Sequence, residues 1–144
     1  MRELIFRGQR TDNNEWVYGP IIPSRKIDYD SGNEIDCFLI RGSGVFSYVD
    51  YEVYTTTLGQ YTGVNDNNDK PIYEGDIILA IADGEMIHEG VVIFKKGAFY
   101  VDVPDFDCFP LHNYLDGVKQ RNVKYELKII GNIYDNQEWL EENR

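Results

Sequence analysis

A chain of 144 residues with 42% hydrophobic and 14% aromatic side chains has enough apolar surface to offset chain entropy in one ordinary domain, which excludes an intrinsically disordered protein. Twenty-five Asp and Glu against 14 Lys and Arg leave a formal net charge of -11; such a surface repels phosphate backbones, so no direct nucleic-acid partner is expected. The longest apolar run, IILAIA over residues 77–82, is strand length and far below the roughly 18 residues of a spanning helix, so no membrane partner is expected either.

In chain order the elements read as short strands broken by Gly, Asn and Asp clusters. The start, MRELIFRGQR, threads charges through its apolar residues and is not a signal peptide, which places the chain in the cytoplasm. Residues 4–7 and 16–22 flank TDNNE, where Asn13 and Asn14 can take positive φ and close a hairpin. Pro20 and Pro23 are expected to break regular pairing. A strand over 35–40 ends at Gly42 and Gly44. From Val49 to Thr57 apolar and polar residues alternate, the period of a half-exposed strand.

Residues 60–78, QYTGVNDNNDKPIYEGDII, combine a turn with the start of a strand. Three strands follow, 77–81, 89–94 and 99–103, joined at Gly84 and at Lys96 and Gly97. Successive short antiparallel strands rich in β-branched and aromatic residues favour closure into a small SH3-like barrel, which removes exposed edges. An insertion loop is expected near 105–122, with one helical turn around 111–115, then a strand over 125–130. Asp135 stands three residues before Glu138, a capping-box spacing that predicts a short terminal helix presenting Trp139 and Leu140 on one face. The fold class is therefore mainly β: one domain over 1–144, with an N-terminal β lobe over 1–58 and a barrel lobe over 59–144 ending in a short helix.

Three of these stretches, QYTGVNDNNDKPIYEGDII, GVVIFKKGAFYVDV and IIGNIYDN, together with RGQRTDNNEWVYG near the start, resemble the signature of the YopX family of phage and prophage proteins. The likeness is weakest over 23–57 and 105–123. The family pattern carries Gly where this chain has Asn14 and Asp69, residues that tolerate left-handed geometry at turn tips. The resemblance implies a phage-derived cytoplasmic protein with an SH3-like C-terminal lobe and a tendency to assemble with itself. It supplies no catalytic residues to carry over.

The side chains that could carry chemistry are few. A calcium loop laid on the NDNND segment puts Asn65, Asn67 and Asp69 at the first three liganding positions, but Lys70 stands where glycine is wanted and Asp76 where a bidentate Glu is needed, so a solvated turn is the better reading. Glu74 and Asp76 flank Gly75 with no nearby base or nucleophile; a bend with a carboxylate accepting amide hydrogen bonds suits them better than acid–base work. Asp102, Asp105 and Asp107, followed by Cys108 and His112, lack a second ligand pair, and Pro110 interrupts the helical spacing. His88 beside Glu89 reads as a surface or turn histidine, and Cys37 and Cys108 as free buried thiols. No catalytic residue, metal or cofactor is assigned.

Eleven tyrosines, seven phenylalanines and two tryptophans exceed what a small barrel can bury. Trp16, Tyr18, Tyr48, Tyr51 and Tyr54 are the candidate protein interface, since Tyr and Trp join apolar area to a polar tip; sealing the lobes is the alternative use. The leading reading is a non-catalytic interaction module that forms a homo-oligomer and engages a host or phage protein. The alternatives are an acidic mimic that inhibits a nucleic-acid-binding protein, and a small metal-dependent hydrolase. The locally basic piece KQRNVKYELK over 119–128 is read as a solvated strand face.

Overall fold

The computed structural model describes residues 4–43, 47–115 and 123–143. Gly44, residues 119–122 of the basic piece and residues 116–122 of the expected insertion loop lie outside them. The described residues form twelve β-strands, two 3-10 turns and one short helix, so the mainly β class holds. The chain divides into two compact units, Met1–Tyr61 and Thr62–Arg144.

In the first unit, β1 (Phe6–Gln9) pairs with β2 (Trp16–Gly19). Asn14 closes the hairpin at φ 63, and Asn13 Oδ1 accepts the Glu15 amide at 3.0 Å; short amides that tolerate left-handed geometry are the right residues for this turn. A three-stranded sheet follows in the order β3 (Ile21–Ile27), β4 (Glu34–Ser43), β5 (Tyr48–Val53). Contrary to expectation, Pro23 sits inside β3 in register with Phe38. β3 is an edge strand, and there a missing amide breaks no ladder. The alternation read through Thr57 also stops early, because β5 ends at Val53 and Thr55–Thr57 form a 3-10 turn. Thr57 Oγ1 donates to the Tyr54 carbonyl at 2.7 Å and accepts the Gln9 amide at 2.9 Å, local bonding that competes with a sheet ladder. Val17, Ile40 and Val53 form the core, with Phe6, Phe38, Tyr51 and Leu58 packed around them.

β6 (Gly59–Asn65) begins in the first unit, where it pairs with β1, and ends in the second, which continues through β7 (Pro71–Tyr73). The main sheet there runs β11 (Cys108–Pro110), β10 (Ala98–Asp102), β9 (Glu85–Lys95), β8 (Asp76–Ala82), β12 (Tyr125–Asn132). Two tight turns, Asp83-Gly84 and Lys96-Gly97, have positive φ at both central residues, the geometry that matches strand twist in two-residue hairpins. Ile72, Ile78, Ala80, Val92, Val101, Leu111, Tyr114 and Leu127 fill the interior. The SH3-like barrel expected here is not closed: among the described residues β11 and β12 are the edges of an open sheet. β11 is only three residues long and ends at Pro110, and the 3-10 turn Leu111–Tyr114 packs against β10, β11 and β12. A proline at a strand end withholds the amide that pairing needs, and the turn's Leu111 and Tyr114 fill the interior instead.

The segment 65–70 is a turn whose side chains bond to main chain. Asp66, 6% exposed, accepts the Asn68 and Lys70 amides on Oδ1, each at 2.9 Å, and the Ile129 amide on Oδ2 at 3.1 Å. Asn67 bonds Leu127 twice, Oδ1 accepting its amide at 2.7 Å and its own amide donating to the Leu127 carbonyl at 2.9 Å. Burial works to raise the Asp66 pKa, but the three amides and Lys70 outweigh it and hold the carboxyl below its ordinary 3.8. A lowered folded pKa means the stabilisation is complete well above 3.8 and is lost as pH falls through the folded value. Asp66→Ala is expected to cost about 3 kcal/mol by leaving buried amides without acceptors, read as a lower urea midpoint at pH 7. The gap from the natural chain should narrow below about pH 4, and a gap independent of pH would remove this role for the carboxylate.

Candidate functional site

Residue pairing across the main sheet of the second unit generates a row of side chains on one face, since directly opposed residues share a face. Ile77 opposes Val91, Val91 opposes Asp102, and Asp102 opposes Cys108. The next row on the opposite face, Val92, Val101 and Phe109, packs into or against the core. Glu89, Val91 and Ile93 alternate on β9 along the outer face.

The terminal helix α1 (Gln137–Glu142) covers part of that outer face. Its start differs from the expected capping box: Asn136, not Asp135, is the N-cap, without a side-chain cap bond. Asn136 Oδ1 instead accepts the Asn132 amide at 3.1 Å, and the Asn136 amide donates to the Asn132 carbonyl at 2.9 Å. A Cβ at Gly131 would lie 2.3 Å from Asn136 Oδ1, so glycine permits this close docking. The Trp139 indole N–H then donates to Glu89 Oε2 at 2.7 Å, fixing the helix over β9.

Opposite the helix stands the turn 103–107. The Val103 amide bonds the Asp107 carbonyl at 3.0 Å and Asp105 adopts φ 59, a left-handed geometry that aspartate tolerates. Phe106 projects at 77% exposure. Between turn and helix lies a groove of about 770 Å³, floored by Val91 and Ile93, walled by Phe106, Ile133, Trp139 and Leu140, and bordered by Asp102, Asp105 and Asp107. This size is in the range of ordinary ligand clefts.

Cys108 also lines the groove. Its thiol donates to Asp102 Oδ1 at 3.3 Å, and its amide donates to Asp107 Oδ1 at 2.8 Å. Burial pushes the thiol pKa up, the Asp102 carboxylate pushes it further, and Lys95 offsets part of this. Such a thiol is held away from the reactive thiolate form. His112 is exposed on the 3-10 turn, and no group of three or more His, Cys, Asp or Glu among the described residues is arranged to hold a metal ion. Asp76 Oδ2 accepts the Tyr73 amide at 2.8 Å, and Asn65 Nδ2 donates to Asp69 Oδ1 at 3.0 Å, so these acids serve their own turns.

His88 is a half-buried member of an aromatic run and not a turn residue. It stacks on Phe109 at 5.4 Å between centroids, and its Nε2 lies 2.7 Å from the Tyr114 hydroxyl. Burial lowers the histidine pKa and raises that of Tyr114, with Tyr125 adding to the latter. A bulge between Ala80 and Ile81 shifts the register of β9 ahead of His88; no residue type in 85–88 announces it.

The five aromatic candidates of the first unit do not form one face. Tyr18, Tyr48 and Tyr54 are exposed, with Tyr54 donating to the Thr11 carbonyl at 3.3 Å. Trp16 and Tyr51 are half-buried: Arg7 lies over Trp16 at 4.9 Å, Arg10 lies over Tyr51 at 4.0 Å, and Tyr51 packs against the core. Tyr51 points with Val49 and Val53, and Tyr48 with Asp50 and Glu52.

A family model described as YopX protein matches residues 5–141. The chain belongs to the YopX family. A solved structure similar to this YopX chain is the crystal structure of protein EF1440 from Enterococcus faecalis, with a TM-score of 0.52 and 22% identity over 97% of this chain and 99% of that one. At that identity the likeness establishes the fold. Comparison with curated proteins gives no match. No helix among the described residues of this YopX chain is long and apolar enough to cross a membrane. The Cys108 geometry makes a direct prediction: Asp102→Asn should lower the thiol pKa and speed its alkylation by iodoacetamide at pH 8. Cys37, which is buried, should react slowly in both proteins. An unchanged Cys108 rate would show that the carboxylate does not restrain the thiol.

Proposed function

We propose that this YopX protein is a phage- or prophage-encoded, non-catalytic interaction module that works in the cytoplasm, assembles with itself and engages a host or phage protein. The observation that carries the non-catalytic part is how its acids are used. Asp66 and Asp76 accept main-chain amides, Asp107 accepts the Cys108 amide, and Asp102 accepts the thiol. Each carboxylate is engaged by main-chain amides or by a thiol whose pKa is pushed up, whereas hydrolysis calls for an activated nucleophile or a base placed to take a proton.

Self-assembly is supported by exposed apolar surface in the first unit. Tyr18 is 50% exposed and Tyr48 is 73% exposed, and tyrosine gives large contact area at low entropy cost. The acidic-mimic alternative needs carboxylates aligned as phosphates are. Several acids of the first unit are instead paired locally: Arg41 with Asp50 at 2.7 Å, Lys26 with Glu52 at 2.5 Å, Arg25 with Glu34 and Asp36, and Arg10 with Asp12.

Light scattering at micromolar concentration should give a mass several times 16.7 kDa, and the pair Tyr18→Ala and Tyr48→Ala should return it to that of one chain; a monomeric natural protein overturns self-assembly. Phage origin predicts that the transcript rises when prophages of the host are induced, and a constitutive transcript counts against it. A tagged pull-down from that host tests the partner itself, with no specific protein recovered as the adverse result.

A further inference from the structure

The groove of the second unit has a chemical character that the interaction reading does not specify. Its floor is aliphatic, Val91 and Ile93, and two of its walls are aromatic, Phe106 and Trp139. Three carboxylates, Asp102, Asp105 and Asp107, stand on the side of the turn. An anion or a wholly apolar segment would have to sit beside these carboxylates without compensation, which costs free energy. A cationic side chain with an alkyl stem meets each surface with its match: the stem lies on Val91 and Ile93, the charge faces the carboxylates, and aromatic rings within about 6 Å attract it further. Among the described residues, Lys95 packs over the Tyr100 ring at 4.9 Å and acts on Cys108, while three carboxylates border the groove.

One wall of the groove is also prepared for an occupant. Trp139 is fixed by Glu89 and the helix start by Asn132 and Asn136, so the aromatic wall is in place before anything binds. Walls set in advance reduce the entropy lost on association. The turn offers Phe106 at the open lip, where a large ring at 77% exposure gains most from being covered.

We propose that this groove docks a basic segment of a partner protein, with a Lys or Arg held between the Asp102, Asp105, Asp107 rim and the Phe106 and Trp139 walls and a neighbouring aliphatic residue on Val91 and Ile93. The proposal rests on the interaction-module reading and specifies the partner's chemistry at one site of it. It commits to a protein segment because the groove joins an apolar floor to a charged rim, and a peptide with a cationic and an aliphatic residue side by side satisfies both.

The test pans a random dodecapeptide library against the full chain and measures binding of the enriched peptides by fluorescence anisotropy. Enriched sequences should carry Lys or Arg next to Leu, Ile, Val or Met. Replacing that Lys or Arg by Gln in the peptide, or combining Asp102→Asn, Asp105→Asn and Asp107→Asn in the protein, should each weaken binding about tenfold or more, and the natural affinity should fall with added salt. Ile93→Lys should abolish it, whereas Glu15→Gln, a change in the other unit, should leave it intact. Circular dichroism and thermal melting establish that each variant is folded, and a variant that unfolds is replaced by Phe106→Ala, a change at an exposed residue. Enrichment of acidic or uncharged sequences, or binding that ignores the rim and Ile93 in folded variants, overturns the proposal. A pull-down partner retained by the triple variant would leave the interaction module standing while removing the groove as its site.

Discussion

The second unit depends on a clamp between a turn and a strand sixty residues later in the chain. Asp66 and Asn67 take the Leu127 amide and carbonyl and the Ile129 amide, the groups that an edge strand would otherwise leave without partners. A seven-residue strand, β8, holds the other side of β12. With both sides engaged, β12 delivers Gly131 and Asn132 to a fixed place, and Asn132 in turn fixes Asn136 and the helix. The groove wall at Trp139 is therefore the last link of a chain that starts at Asp66. A charged acceptor suits the first link because an ionised carboxylate binds several amides at once and more strongly than a neutral group.

That dependence gives the acid-rich segment a structural use. Side-chain oxygens can coordinate a cation only if they converge on it, and those of Asp66 and Asn67 point to amides on both sides of the turn. The ligand chemistry visible in NDNND is real but is spent on folding. Gly75 completes the arrangement at φ 89, its amide on the Val92 carbonyl and its carbonyl on the Ile133 amide. A Cβ there would meet the Tyr134 ring at 2.9 Å, so the glycine is set by packing as well as by φ.

Local chemistry was legible in the sequence and long-range consequence was not. The turns at Asn13-Asn14, at 65–70 and at Lys96-Gly97 follow from residue type, because their geometry is decided within a few residues. The family likeness was legible for the same reason, its motifs being those turns and the strands beside them. Closure of the sheet depends on whether β11 and β12 meet, and the Pro110 end of β11 with Leu111 and Tyr114 beneath it outweighs the general tendency of short strands to close. Pro23 was misjudged because a proline is tolerated or not according to which edge its strand occupies, and strand order is a global property. Of the groove, the sequence offered its parts, Asp102 to Cys108 and Trp139 with Leu140, without the register that sets Val91, Asp102 and Cys108 in one row.

The register also separates two fates for similar residues. Asp66 and Asp102 are both aspartates beside apolar strands, yet Asp66 has three main-chain amides around it, whereas Asp102 lies on the outer face between Val91 and Cys108. The charge of the first is stabilised by the protein's own backbone amides; the second adds to the charge of the groove rim and raises the pKa of the thiol beside it. In a chain of net charge -11 most acids confer solubility. An acid set in a row with Val91, next to a fixed tryptophan and an outward phenylalanine, joins its charge to apolar surface, and that pairing is the chemistry the proposed basic segment would use.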